Sequence, residues 1–564
     1  MLWIDVTDLT EFRASGSTVS GVQRVEAELT PLLLTGDARE VTLDRTTGRF
    51  VGASDQVRIN FTEYPNSVLL VLGATWINDQ LMAAIRSAVS EGVQYVDLFY
   101  DITPVIDAGH AKHLRELFER YLALLSDCAD RVPAISQSSR NDLFQYLRDH
   151  DLKVPPGIAT TLPSGLMTTG DGPREANNED FALMVGTIEA RKNHLLAFHA
   201  WEKLIDTHGA ENIPTLICVG KIGWNSEPFL EKMKETNNLN AKIVLRSDGV
   251  TDTELADLYR DALFTVYPSN YEGWGLPVSE SLMFGTPVVA ARNSSLTEAG
   301  GDLACYFTTD NVTDFVHVIE TEMLNVERRR KHTSRIVQSH AHTTPVTWSD
   351  IAAKITNEVH VAQQDGQQVQ VAPTLNNWET YSLASPHSVF TDRLIVGNQR
   401  PPQPWGFPVY SEQKLTINFT RESEANLTVH LGTLCEAGVV TLQVTPEHFS
   451  SQQHTFSRGE FVSVNVGAGE PGEVVRLEVH AASVGPSDQG FIGLTSITVE
   501  GESAMATSAE YENFTVTKLE AQNAALQADV DQLASELAQA NAELARKSQS
   551  LLSRASRKLN RPSE

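Results

Sequence analysis

Tyr267-Pro-Ser-Asn-Tyr-Glu-Gly-Trp-Gly-Leu-Pro-Val-Ser-Glu-Ser-Leu-Met-Phe-Gly-Thr-Pro-Val-Val-Ala290 decides the architecture of this chain. An apolar strand ends near Pro268, a glycine-bearing loop covers 269–276, a helix opens at Pro277, and a second strand begins at Val288. Proline suits a first helical position because its missing N–H is one of those left unpaired there. Glu272 lies in the loop and Glu280, eight residues on, is expected in the first turn of the helix. Gly273 and Gly275 let backbone approach a ligand closely, and a helix N-terminus offers free N–H donors to an anion. Carboxylates for hydroxyls and backbone amides for phosphate oxygens together suit a polyol that carries a phosphate.

A second string, Val185-Gly-Thr-Ile-Glu-Ala-Arg-Lys-Asn-His-Leu195, reads as a strand, a turn at Gly186 and a helix start. It places Arg191 beside Lys192. Arginine grips phosphate through two parallel contacts, whereas lysine acts as a point charge. The two strings resemble the donor site of the retaining glycosyltransferases of family four, which have the GT-B fold. There, two Rossmann-like halves face a cleft. The resemblance implies that Arg191 and Lys192 meet the donor diphosphate and Glu272 holds hydroxyls of the donor sugar. It also implies that Glu280 accepts from the ribose, and that the backbone of Gly273, Trp274, Gly275 and Leu276 meets the phosphates. Gly220, after a strand, and Glu298, before Gly300-Gly301, fit the same surroundings.

In the first half, Ser20-Gly-Val-Gln-Arg-Val25 resembles the family's loop into the first helix, which makes Gly21, Gln23 and Arg24 acceptor-side residues. Its wording is closest to mannosyltransferase-like members, which inclines the donor toward GDP-mannose, with UDP- and dTDP-sugars also open. Tyr100-Asp-Ile-Thr-Pro104 resembles a strand-end motif in which many members place His before Asp; here Tyr100 stands there, leaving Asp101 as the polar contact. Asp101 thus joins Glu272, Arg191 and Lys192 in the expected catalytic set. The family's usual proposal is front-face displacement, so no side chain is named as nucleophile. No metal or other cofactor is expected, because Arg191 and Lys192 would neutralise the diphosphate. Asp149-His-Asp151 mimics a metal motif of the other glycosyltransferase fold but ends a helical pattern, and His110 and His113 read as surface residues.

Composition sets outer bounds. A chain of 564 residues with 41% hydrophobic content is long enough for several cores. A net charge of −28 excludes a general nucleic-acid binder, which needs a basic footprint. Cys128, Cys218, Cys305 and Cys435 show no paired spacing, so neither a disulfide framework nor a zinc site is expected. The opening Met1-Leu-Trp-Ile-Asp-Val lacks the pattern of a signal peptide, and no apolar run reaches the roughly 20 residues that span a bilayer. A cytoplasmic enzyme is expected.

Periodicity divides the chain into four parts. Residues 1–165 alternate apolar runs (2–6, 68–72, 95–99, 131–135) with helical patterns, the mark of a parallel α/β sheet, here the acceptor domain. Residues 166–362 repeat the pattern as the donor domain, with strands at 181–185, 215–219, 243–245, 264–267 and 288–290 and a return helix after Trp348. Beyond a Gln-rich linker the period falls to two, and residues 375–502 read as a β-sandwich, with Trp378, Tyr381, Trp405 and Tyr410 available to stack on a sugar. Residues 510–564 end the chain as a coiled coil: Val516, Asn523, Val530, Leu537, Leu544 and Leu551 at a, Leu519, Leu526, Leu533 and Ala540 at d. Self-association through 516–551 is expected. Arg546, Lys547, Arg554, Arg557, Lys558 and Arg561 then form a basic amphipathic end, over 546–561, suited to an anionic membrane surface.

The whole implies extension of a bacterial surface polysaccharide, O-antigen or capsule, from a nucleotide sugar onto an oligosaccharide or lipid-linked acceptor. Two rivals stand beside it: an enzyme of the same fold that cleaves such bonds, and a non-catalytic assembly scaffold held together by its coiled coil.

Overall fold

The computed structural model describes residues 1–365, apart from 17–20, 107–111, 164–180, 248 and 343–345. Beyond 365 it describes the strands and short connections lying between 380 and 501. The chain divides into two compact units, one within residues 1–369 and one carrying the C-terminal strands.

The first unit holds two parallel sheets. The first sheet has the order β3-β2-β1-β4-β5, from β1 (Leu2–Asp5), β2 (Arg39–Asp44), β3 (Arg49–Gly52), β4 (Val68–Val71) and β5 (Gln94–Asp97). β1 pairs in parallel with β2 and β4, and β4 with β5. The run at 131–135 extends this sheet through single parallel bridges, Val96 to Arg131 and Phe99 to Ala134. The second sheet has the order β11-β10-β9-β6-β7-β8, from β6 (Phe181–Val185), β7 (Thr215–Val219), β8 (Ile243–Arg246), β9 (Phe264–Tyr267), β10 (Val288–Ala291) and β11 (Cys305–Phe307), all parallel. Strands buried on both faces read as unbroken apolar runs, and β4, β9 and β10 are buried at every residue. The strands β2, β3 and β11 were not in the sequence expectation: β2 and β3 interleave charged residues, and β11 is three residues long.

Each sheet reverses its strand order once. In the second sheet the chain steps outward through β6, β7 and β8, then returns to lay β9 on the other side of β6. The loops leaving the carboxyl ends of β6 and β9 therefore diverge, which opens the crevice where ligands bind in open α/β sheets. Those two loops carry Arg191 and Glu272.

The helix Trp348–Asp365 packs on the first half: Trp348, Ile351, Ile355 and Val359 share one core with Ile4, Val68 and Leu70. It is pinned there by a two-pronged pair between Arg131 and Glu358 (2.9 and 3.0 Å) and by Lys354 Nζ donating to the Thr160 carbonyl (3.1 Å). Glu358 is 1% exposed, so this charge has left water and depends on Arg131.

In the second unit, the described strands between residues 380 and 501 form two antiparallel sheets of five strands each. From β12 (Thr380–Ser382), β13 (Ile395–Val396), β14 (Phe407–Tyr410), β15 (Leu415–Thr420), β16 (Leu427–Cys435), β17 (Val439–Pro446), β18 (Gln452–Ser457), β19 (Phe461–Gly467), β20 (Val474–Ser483) and β21 (Phe491–Gly501), one has the order β12-β21-β16-β19 with β14 also on β21, and the other β13-β15-β20-β17-β18. Period two is visible in the burial: Val462, Val464 and Val466 are buried while Ser463 and Asn465 between them are exposed. Trp378, Trp405, the side chains of Tyr381 and Tyr410, and all of 510–564 lie outside the described residues. No described helix is long and apolar enough to cross a membrane.

Candidate active site

The site grows from the β6 and β9 loops. After β6 the backbone turns at Gly186, makes a short helical turn over Ala190–Lys192, and enters the helix His194–His208, whose first turn is capped by the Asn193 side chain on the Leu196 N–H (3.3 Å). That turn points Arg191 and Lys192 at the β9 loop. Arg191 Nη1 donates to Glu272 Oε2 (2.7 Å) and to the Tyr271 carbonyl (2.7 Å), while Nη2 donates to Glu189 (2.8 Å). Lys192 Nζ donates to Glu272 Oε1 (2.6 Å). Burial pushes the Glu272 carboxyl up, but the two cations and their hydrogen bonds prevail and hold it at about 2. Burial likewise opposes the charge on Arg191, and Glu272, Asp101 and Glu189 outweigh it, raising its pKa. At neutral pH the group is therefore a fixed ion triad of two cations on one carboxylate.

Ser294 and Ser295 hold the loop in place. Ser294 Oγ accepts from the Glu272 N–H (2.9 Å), and Ser295 Oγ donates toward the carbonyls of Glu272 (2.7 Å) and Trp274 (2.6 Å). Gly220 follows β7, and a Cβ there would lie 2.0 Å from the Gly186 carbonyl, so two loops cross where only glycine fits.

Glu280 stands apart from the triad. It is the fifth residue of the helix Leu276–Met283 and so begins its second turn, one residue deeper than the sequence suggested, because the helix opens at Leu276 with Gly275 as its cap. Its carboxylate accepts from the Tyr259 hydroxyl (2.8 Å), itself 3.4 Å from the Tyr267 hydroxyl. Burial pushes Glu280 up to about 7, against that hydrogen bond and the nearby Arg24 charge. Near neutrality it is poised between acid and carboxylate.

The first half meets the β9 loop directly. A Cβ on Gly273 would stand 2.7 Å from the Tyr100 carbonyl and 3.0 Å from Asp101 Cβ, so glycine permits the approach. Ser139 Oγ donates toward the carbonyls of Tyr100 (2.6 Å) and Gly273 (3.1 Å), and the Tyr271 hydroxyl donates to Asp142 (2.6 Å). Glu298 accepts from two backbone amides at the start of the helix Gln137–Asp149, those of Gln137 (2.8 Å) and Ser138 (2.7 Å). A carboxylate suits the positive end of a helix. Arg24 Nη2 donates to both carboxylate oxygens of Asp252 (3.0 Å to each). These contacts hold the two halves together at one edge of the cleft.

The structure brings Glu272, Arg191, Lys192, Gly186, Gly220, Gly273 and Asp101 into one region, with the Asp101 carboxylate accepting from the Thr103 N–H (2.9 Å). Gly21 caps the helix Val22–Leu33 in open space. Gln23 does not face free space: its amide donates to Asp8 (3.0 Å). The side chain of Trp274 is buried in the first half's core and Leu276 packs against it, so these two present backbone to the site. Tyr100 is also buried, its hydroxyl donating to the Leu72 carbonyl (2.6 Å). Glu189, Ser294, Ser295, Tyr259, Asp142 and Asp252 were not foreseen, since each acts by holding another group. Glu26, fully buried and pushed to about 9 by burial and the Asp5 and Asp8 charges, was missed as well.

Comparison with known proteins bears on these loops. Residues 171–336, which contain Arg191, Lys192, Glu272, Glu280 and Glu298, match the family model of glycosyl transferases group 1. The chain carries a group 1 glycosyl transferase domain. The serotype-specific mannosyltransferase WbdA of Escherichia coli is 26% identical over 270 residues, which is 45% of this chain and 32% of that protein. O-antigen chain mannosyltransferase B of the same organism is 38% identical over 223 residues, 37% of this chain and 55% of the relative. The chain thus spans between a third and about half of the length of these relatives. Among solved structures, sucrose-phosphate synthase from Thermosynechococcus elongatus aligns with a TM-score of 0.47 at 16% identity, covering 64% of this chain and 98% of that one. Within the glycosyl transferase domain, the triad and Glu280 sit at its topological switch point, and the residues that brace them come from the β6 loop (Glu189), the helix before β9 (Tyr259) and the turn after β10 (Ser294 and Ser295).

Proposed function

We propose that the protein is a retaining glycosyltransferase that moves a sugar from a nucleotide-diphosphate donor to a growing bacterial surface polysaccharide or oligosaccharide. GDP-mannose is the first donor to test, because the relatives are named as mannosyltransferases. The observation that carries the reading is the convergence of Arg191, Lys192 and Glu272 from the two loops that diverge at the switch point.

In this reading the donor diphosphate takes over Arg191 Nη1 and Lys192 Nζ, and Glu272, relieved of one or both cations, turns to the sugar hydroxyls. Arg191 and Lys192 stabilise the negative charge that grows as the sugar–phosphate bond breaks. Glu280, in its carboxylate form, accepts from the ribose hydroxyls. The acceptor hydroxyl enters from the side of Gly21, Arg24 and Asp101. It attacks the anomeric carbon on the face the phosphate leaves, and its proton passes to the departing phosphate oxygen, so configuration is retained without a protein nucleophile. Positive charge at the diphosphate comes from side chains, and no metal has a role in this step. Self-association through 516–551 and contact of 546–561 with an anionic membrane surface, on its cytoplasmic side, would bring several such sites to lipid-linked acceptors.

The test is calorimetric binding of GDP, UDP, ADP, dTDP and CMP to the wild type and to Arg191→Ala. One nucleotide binding clearly and losing affinity in the variant is the expected result. No binding by any of them moves the reading to a non-catalytic scaffold.

A further inference from the structure

Away from the cleft, three side chains of different chemistry meet at the edge of the second sheet. Cys305 opens β11, the edge strand. Glu322 lies in the π-helical turn Ile319–Leu324, and His332 in the helix Val326–His342. Cys305 Sγ is 3.4 Å from His332 Nε2, and that nitrogen is 2.9 Å from Glu322 Oε2. One ligand atom from each residue lies within 4.8 Å of the others. A tetrahedral ion with bonds of about 2.3 Å to sulfur and 2.0–2.2 Å to nitrogen and oxygen separates its ligand atoms by roughly 3.2–3.6 Å. The two separations at His332, 3.4 and 2.9 Å, come within a few tenths of an ångström of that, and side-chain rotations that set the third ligand atom would admit an ion.

We propose that Cys305, Glu322 and His332 form a binding site for a zinc-class divalent cation. Thiolate, imidazole and carboxylate form the donor set that selects such ions over magnesium or calcium. The thiolate and carboxylate charges together balance the ion, and water would take the fourth position, reached from solvent because the side chains of His332 and Glu322 are 15% and 26% exposed. Glu322 divides its two oxygens: Oε1 accepts from Arg328 and Oε2 faces His332, so Arg328 would orient the ligand from outside. Other positive charge stands close. Arg335, whose guanidinium donates to the Asp302 carbonyl (2.9 Å), also lies within electrostatic reach of Cys305. Such an ion is bound by the thiolate, so binding releases the Cys305 proton to solvent. The ion would tie a helix and a π-helical turn to a sheet edge that ends in a three-residue strand, and no part of the donor site takes part.

The experiment uses the full chain, stripped with chelator. Zinc titration by calorimetry in two buffers of different ionisation enthalpy is expected to give one site per chain with release of about one proton. Cobalt(II) is expected to give a thiolate-to-metal charge-transfer band that Cys305→Ser abolishes and that His332→Ala weakens, with affinity at least tenfold lower. Alkylation mapped by peptide mass provides an arm that needs no variant: zinc is expected to slow labelling of Cys305 and to leave that of the other cysteines unchanged. A cobalt band that survives Cys305→Ser, or absence of both the band and the protection of Cys305, overturns the proposal. In that case Arg328, Glu322 and His332 are a hydrogen-bonded ion chain beside an inert thiol.

Discussion

Replacing Glu272 by Gln tests the ion triad in two ways. The side chain is 10% exposed and accepts from two cations. Its pKa falls from 4.5 in the free group to about 2 in the fold. A displacement of that size corresponds to about 3 kcal/mol of stability. Because the folded value is depressed, this stability is fully present above pH 4.5 and is lost as the pH falls toward 2. Glu272→Gln is therefore expected to lower unfolding free energy by about 3 kcal/mol at pH 7, with the difference from wild type shrinking through that acid range. Ligand binding should move the opposite way. In the free protein Glu272 occupies Arg191 Nη1 and Lys192 Nζ, the donors a diphosphate needs. A unit charge about 5 Å away at an effective dielectric near 20 is worth about 3 kcal/mol before solvent screening. The variant should then bind the cognate nucleoside diphosphate roughly tenfold or more tightly while losing turnover of the nucleotide sugar. Urea unfolding across pH and calorimetry with the diphosphate measure the two effects. Diphosphate binding that weakens, or does not change, in Glu272→Gln would refute the idea that carboxylate and phosphate compete for the same two cations.

Three further expectations follow from other parts of the fold. Burial raises Glu280 from 4.5 to about 7, so the stability it contributes is present below pH 4.5 and lost as pH rises through 7; Glu280→Gln should gain about 2–3 kcal/mol at pH 8 and little at pH 4, with weaker nucleotide binding, as read by urea midpoints and calorimetry. Glu298→Ala removes two charge-assisted hydrogen bonds between the halves, worth about 2 kcal/mol, and should speed hydrogen exchange at the Gln137 and Ser138 amides about thirtyfold; unchanged exchange at both would show that Glu298 does not latch them. Deleting residues 510–564 should abolish self-association while sparing turnover on a soluble acceptor, and light scattering that finds the full chain already monomeric would contradict this.

What the sequence disclosed followed from periodicity and from turn chemistry. The buried parallel strands announced themselves as apolar runs, and the glycines beside Glu272 and Arg191 marked the loops that approach one another. Those signals are local. Edge strands such as β3 and β11 lack them, since one flank faces solvent and short or charged runs suffice. Nor could spacing show that Gln23 is held by Asp8, that the Trp274 side chain turns into the first half's core, or that Ser294 and Ser295 fix the Glu272 loop. Each of these depends on where a residue many positions away comes to lie. Glu280 illustrates the boundary well: its residue type and spacing were legible, but its elevated pKa arises from burial beside Tyr259, which only the packed fold supplies.

The most direct measurement is product analysis. The purified chain is incubated with isotopically labelled GDP-mannose, and in parallel with UDP- and dTDP-sugars, and a mannose-terminated oligosaccharide, and the anomeric configuration of any new linkage is assigned by NMR. The account predicts an oligosaccharide lengthened by transfer from one of these donors, with the donor's anomeric configuration retained and no product from Arg191→Ala. An inverted linkage, release of free sugar alone, or product formation that survives Arg191→Ala would contradict it.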